Sequence, residues 1–290
     1  MPGALRRMAL IILTFAILAV GWLGWRLWVA VHAPPPILSL EVNGGEDMRL
    51  LPGTPLIFTV TLSGSPGARA ARLGTGERPW HTRLRLELAE AERPIPWKPS
   101  ILGPAVSIGF GHDARGRPTI EEESRAEAVL DADHVHTIDL AVGPEETARV
   151  AAGRYTIVAS LTQPLWPLWR WRPRVVSSPV VVTLGRAAGA AVSPGELDRR
   201  RLSDLADYYL RAKRYEDARK TALEILRADP RSGNGYITLG DALGGLGQNA
   251  DALESYENAL FIEPPPGPEA EPPTYLIERL GEVQDRLSGH

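Results

Sequence analysis

LSDLADYYLRAKRYEDARKTALEILRADP, residues 202–230, and YITLGDALGGLGQNADALESYENALFIEP, residues 236–264, are two versions of one pattern. An offset of 34 positions (236 − 202) brings Leu205, Ala206, Ala218 and Pro230 onto Leu239, Gly240, Ala252 and Pro264. The same offset pairs Leu202 with Tyr236, Ala222 with Tyr256 and Ile225 with Ala259. A repeat of this period is a helix–turn–helix unit that buries its apolar stripe only by stacking on a neighbour. Small residues at Ala218, Gly240 and Ala252 let paired helices approach, large apolar residues fill the gaps, and proline stops the second helix.

The pattern resembles the tetratricopeptide repeat. The second copy is the closer match, with Tyr236, Leu239, Gly240, Gly247, Ala252, Tyr256, Ala259 and Pro264 all in place. The first departs at Ala222, where a large aromatic is usual, but keeps Tyr209, Tyr215 and Ala218. Ser193-Pro194-Gly195-Glu196 reads as a capping box opening the array. Residues 274–288 read as a capping helix, with Leu276, Ile277, Leu280, Val283 and Leu287 on one face. Residues 194–264 thus hold two repeats, and 265–273 a Pro-rich loop before the cap. Two repeats are fewer than the three usually needed for stability. The array must lean on a neighbouring domain, on another copy or on a partner. The resemblance implies a protein-binding concave face built from the first helix of each pair. It would carry Arg200, Ser203, Asp207 and Arg211 from the first copy and Asn234, Ile237 and Asp241 from the second. Asp207 and Asp241 would repel a C-terminal carboxylate, so a carboxylate-clamped tail is not the expected ligand.

Upstream, residues 37–184 change character. Short runs alternate in polarity and end in turn residues: 38–42, 55–62, 82–88, 106–110, 126–130, 136–140, 155–161 and 175–184. Leu84, Leu86 and Leu88 share one face at strict period two. Such spacing predicts an antiparallel β-sandwich. Residues 150–161 (VAAGRYTIVASL) and 177–184 (SSPVVVTL) resemble the last two strands of immunoglobulin-like and fibronectin-like domains. Residues 185–193 are small and flexible, suiting a linker.

Residues 9–31 are apolar apart from Arg26 and carry Trp22, Trp25 and Trp28 at one end. They predict a transmembrane anchor. Arg6 and Arg7 would hold residues 1–8 in the cytoplasm, and residues 32–36 would be a Pro-rich spacer. On this reading the fold class is multi-domain α and β: a single transmembrane helix, an antiparallel sandwich, then helical hairpins with a cap. The protein would be single-pass, with its bulk periplasmic or extracytoplasmic. A loop rich in Trp and Arg precedes the last strand: Trp166, Trp169, Arg170, Trp171, Arg172 and Arg174. It would face the bilayer.

Composition narrows the chemistry. A length of 290 residues suits about two domains. A net charge of −3 gives no general attraction to nucleic acid. The absence of cysteine excludes disulfides, thiolate metal sites and a cysteine nucleophile. Charge divides the repeats: residues 199–231 hold 10 basic and 6 acidic groups, residues 232–290 hold 2 and 10. That asymmetry favours head-to-tail self-association or a partner of mixed charge. Asp131, Asp133, His134 and His136 are the densest set of metal-ligand types, with the two histidines on one strand face. Gly109, Gly111 and Ala114 loosely match a dinucleotide fingerprint, but Pro118 follows where a helix should open. Glu121, Glu122 and Glu123 read as a solvated turn. No nucleophile elbow, phosphate-binding lysine loop or zinc-protease motif occurs.

The expected function is therefore a membrane-anchored interaction or scaffold protein that recruits partners through its repeats. It is expected to be no enzyme and to need no metal or cofactor. One alternative is a sandwich that binds a small ligand or glycan, with the repeats as a stalk. The other is a metal-dependent hydrolase around His134 and His136.

Overall fold

The computed structural model describes residues 18, 20–22, 24–25, 36–45, 47–65, 71–73, 79–90, 93–95, 99–112, 117–124, 127–162, 174–185, 193–262 and 274–288. Its strands are β1 (Ile37–Val42), β2 (Asp47–Leu50), β3 (Leu56–Ser63), β4 (Ala71–Leu73), β5 (Leu84–Glu90), β6 (Arg93–Ile95) and β7 (Ser100–Ile101). After these come β8 (Val106–His112), β9 (Pro118–Ser124), β10 (Ala128–Leu130), β11 (His134–Val142), β12 (Gly153–Thr162), β13 (Arg174–Val176) and β14 (Val180–Leu184). The helices are α1 (Pro144–Thr147), α2 (Pro194–Arg211), α3 (Tyr215–Ala228), α4 (Gly233–Gly245), α5 (Asn249–Ile262) and α6 (Thr274–Ser288).

Two six-stranded sheets form a β-sandwich. The first runs β1-β3-β11-β8-β9, with β7 also on β11; the second runs β2-β14-β12-β5-β6, with β13 also on β12. Every pairing is antiparallel except β2 with β14, which is parallel. Alternation explains the core: Leu38, Leu40 and Val42 from β1 meet Phe58, Val60 and Leu62 from β3 and Tyr155, Ile157, Ala159 and Leu161 from β12. Trp80, in a 3-10 turn before β5, is the largest side chain buried there. Tyr155 donates to the Ala151 carbonyl at 2.6 Å, the corner bond that sandwich domains use to pin a strand entry. Asn43 and Gly44, both at positive φ, make the tight turn after β1. The Asn43 side chain donates to Pro55 O and accepts from Ile57 N, tying that turn to β3.

The C-terminal region is helical. Ser193 accepts from the Glu196 amide at 3.2 Å to open α2, and Ser232 from Gly235 at 3.1 Å to open α4. A Cβ on Gly240 would lie 2.5 Å from the Tyr256 ring, and one on Gly245 would strike the Tyr215 ring. These glycines set the close approach of α4 to α5 and of α3 to α4. The first helix leans on the sandwich. Tyr208 is buried against Ile57 and Ala141, with Tyr209, Ala212 and Leu102 around it. Arg211 bridges to Asp139 at 2.5 Å and Arg214 to Glu145 at 3.4 Å.

Three expectations change. No helix among the described residues is long and apolar enough to cross a membrane. The transmembrane helix in the expected fold class, and the single-pass, extracytoplasmic placement built on it, are therefore not supported; most of 9–31 lies outside the described residues. Glu121, Glu122 and Glu123 lie not in a turn but in β9, the edge strand of the first sheet. Charge there suits an edge, where both faces are open to solvent. The sandwich is also not wholly antiparallel, because β2 follows β14 in the same direction.

Candidate functional site

A groove of about 460 Å³ opens on the helical region. Its walls come from four helices: Asp207, Leu210 and Arg211 of α2, Asp241 of α4, Tyr256 of α5, and Arg279, Glu282, Val283 and Arg286 of α6. Gly244 and Gly245 leave its floor without side chains, and Tyr215 closes one end.

The charges are interlocked. Arg211 holds Asp207 at 2.8 Å and Asp139 of the sandwich. Arg279 lies 3.3 Å from Asp241, and Arg286 lies 3.5 Å from Glu282. Tyr256 donates to Asp241 at 2.7 Å. Burial, then that bond to a carboxylate, push the Tyr256 phenol well above its ordinary range. Burial works against the Arg211 charge, but the bonds and charges of Asp207 and Asp139 outweigh it and raise its pKa. The groove therefore offers paired charges of both signs beside the Tyr215 and Tyr256 rings.

Of the residues assigned to a concave face by sequence, Asp207, Arg211 and Asp241 line this groove. Arg200 does not; its guanidinium turns to the sandwich, 3.7 Å from the Met48 sulfur. Ser203 is half-buried and Asn234 exposed, and Ile237 packs under the cluster of Leu243 and Tyr256. The reading missed Arg279, Glu282 and Arg286. Their spacing on the polar side of the capping helix, next to the stripe of Leu276, Leu280 and Val283, was the available signal.

The other candidates resolve into structure. Both ring nitrogens of His136 are engaged inside the core: Nδ1 lies 2.6 Å from Ser107 Oγ and Nε2 2.8 Å from Val129 O. A carbonyl only accepts, so Nε2 carries the proton and Nδ1 accepts from the serine hydroxyl. His134 Nδ1 lies 2.7 Å from Asp131 Oδ1, and Asp133 contributes its backbone amide to the same oxygen. Burial pulls the Asp131 carboxyl upward, but the bonds from His134 and Asp133 hold it below its usual range. Among the described residues no three His, Asp or Glu side chains gather as a metal set. Gly109 and Gly111 lie in β8, which leads to another strand, whereas a dinucleotide fingerprint needs a helix there. Trp166, Trp169, Arg170, Trp171 and Arg172 lie outside the described residues, as does Ala114. Arg174 opens β13 and binds Glu87 and Ser160 Oγ.

No protein-family model matches the chain, and no curated protein matches it. Among solved structures, one titled "MamA AMB-1" shares 21% identity over 32% of this chain, with a TM-score of 0.27. The match takes in 46% of that chain, so this sequence spans less than half of its length. Likeness at that level assigns neither fold nor function.

Proposed function

We propose that this chain is a protein–protein interaction protein whose helical region is a short tetratricopeptide-type array, holding a segment of a partner in the groove between α2, α4, α5 and α6. The observation that carries this reading is the groove itself: a glycine floor walled by polar and aromatic side chains from α2, α4, α5 and α6. Repeats that contact only their neighbours build such surfaces from their inner helices. The interlocked charges favour a partner segment carrying both signs, since each incoming charge finds a counter-charge without moving the backbone. The sandwich, which we read as immunoglobulin- or fibronectin-like, serves as the abutment for α2. On this reading the chain is no enzyme and needs no metal: the engaged nitrogens of His136 leave no open ligand pair with His134.

Gly244 provides the test. A Cβ there meets nothing nearer than 3.9 Å, so a side chain can be added without disturbing the helices. Gly244→Phe fills the groove. It should abolish capture of the partners that photocrosslink to a probe at Arg286, while leaving helical circular dichroism and melting unchanged. Undiminished capture by a folded Gly244→Phe chain would overturn the assignment.

A further inference from the structure

We propose that the outward face of the first sheet is a second docking surface, and that its occupant is a segment of a partner protein presenting apolar side chains flanked by lysine or arginine. The strand register lays the face out in rows. Side chains alternate along each strand, so those that oppose the core at Leu62, His136 and Ser107 leave their neighbours facing outward. One row runs Ser63, Val135, Ile108, Glu122; the next runs Ser39, Thr61, Thr137, Val106; a third runs Glu41, Thr59, Asp139. Beyond the first row lies the cross-strand pair Phe110 and Ile120.

The last row of this face is already an interface. Ile57 and Ala141 lie under Tyr208, and Asp139 is held by Thr59 at 2.8 Å and by Arg211 at the groove rim. The face then continues along β11 and β8, with no helix over it among the described residues. Phe110 is 50% exposed and Ile120 72%, and half-buried Val135, Ile108 and Val106 extend them into one apolar strip. A contiguous apolar strip continuous with an existing interface marks an interaction site rather than scattered surface residues.

Charge selects the occupant. The outward positions of these strands hold Glu41, Glu122 and Asp139, and no lysine or arginine. Asp139 is neutralised by Arg211, whereas among the described residues no side-chain hydrogen bond or ion pair engages the carboxylates of Glu41 and Glu122. A second copy adding at this face would set Glu122 against like charge, so a basic, apolar partner fits better.

The experiment uses the full chain and three labelled synthetic peptides of equal length, one of Lys and Leu, one of Glu and Leu and one of Lys and Ser. Anisotropy at physiological ionic strength should show binding of the Lys/Leu peptide only. The double variant Phe110→Ser/Ile120→Ser, which keeps the net charge, should weaken it about tenfold, as should Glu122→Lys alone. Gly244→Phe should leave it unchanged, which separates this face from the groove. Equal binding of the Glu/Leu or Lys/Ser peptide, an unaltered affinity in the folded double variant, or loss caused by Gly244→Phe would overturn the proposal. A dimer in sedimentation that the double variant dissolves would also overturn it, since the occupant would then be a second copy.

Discussion

The sandwich and the helical region bury different kinds of residue. Between the sheets lie Trp80, Tyr155, Phe58, Leu62, Ile138 and Ile157, large side chains contributed by both layers. Between the helices, among the described residues, many buried positions are small, Ala218, Ala222, Ala242, Ala252 and Ala259, and the larger ones, Tyr256, Leu243, Leu276 and Val283, gather towards the last helices. The sandwich core draws strands of both sheets into one cluster. A helical stack holds each element only to its neighbours, by close approach. The consequence is a direction of dependence: α2 rests Tyr208 on Ile57 and Ala141, so the helices need the sandwich more than the sandwich needs them.

The largest expected effect breaks the comparison from the sandwich side. Phe58→Ala removes a ring buried between the sheets and should cost about 3–5 kcal/mol. Because β3 also supplies Ile57 to the helical interface, helical signal should fall in the same transition. All eight tryptophans precede residue 172, so Trp fluorescence reports on the sandwich side and circular dichroism at the helical band reports on the array. Helices that melt independently of Trp80 in this variant would refute the dependence.

Breaking it from the other side should be milder. Gly240→Ala sets a methyl 2.5 Å from the Tyr256 ring. Overpacking costs about 1–3 kcal/mol and better helix propensity returns about 1, leaving a net loss of up to about 2. Helical melting should drop while the Trp transition stays in place. Gly281→Ala, where a Cβ meets nothing within 4 Å, is the control and should raise helical stability slightly.

How much of this was legible beforehand follows the same division. The helices announce themselves because stacking imposes a period, and Ala218/Ala252 with Gly240 are its signature. The strands with one buried face were legible from alternation, as at Leu84 to Leu88. Edge elements were not: β9 has no buried face to alternate, so Glu121 to Glu123 read as a turn. The site was half legible. Asp207 and Asp241 follow from helix position, but nothing in the periodicity says that Arg200 turns to Met48 or that Tyr208 finds Ile57. Those contacts join segments far apart in sequence, and only the assembled sheet supplies their other half.

The smallest expected effect sharpens the comparison at the joint itself. Asp204, one turn before Tyr208 on α2, sits where that helix meets the Asn43 turn, and its Oδ2 is buried without a partner. Burial raises its pKa to about 6; the proximity of Asp207 adds to this, while the Asn43 hydrogen bond and the Arg200 charge oppose it. The folded value lies above the ordinary carboxylate value of about 3.9, so the docked helix favours the protonated acid. Stability from this group is fully present below about pH 4 and is lost as pH rises through about 6. Acidification from pH 8 to pH 5 should therefore raise the helical melting temperature relative to that of the sandwich. Asp204→Asn mimics the neutral acid, so it should raise helical melting at pH 8 and flatten the slope between pH 8 and 5. An unchanged slope in the variant would show that the joint is indifferent to this carboxyl, and that Tyr208 alone couples the two regions.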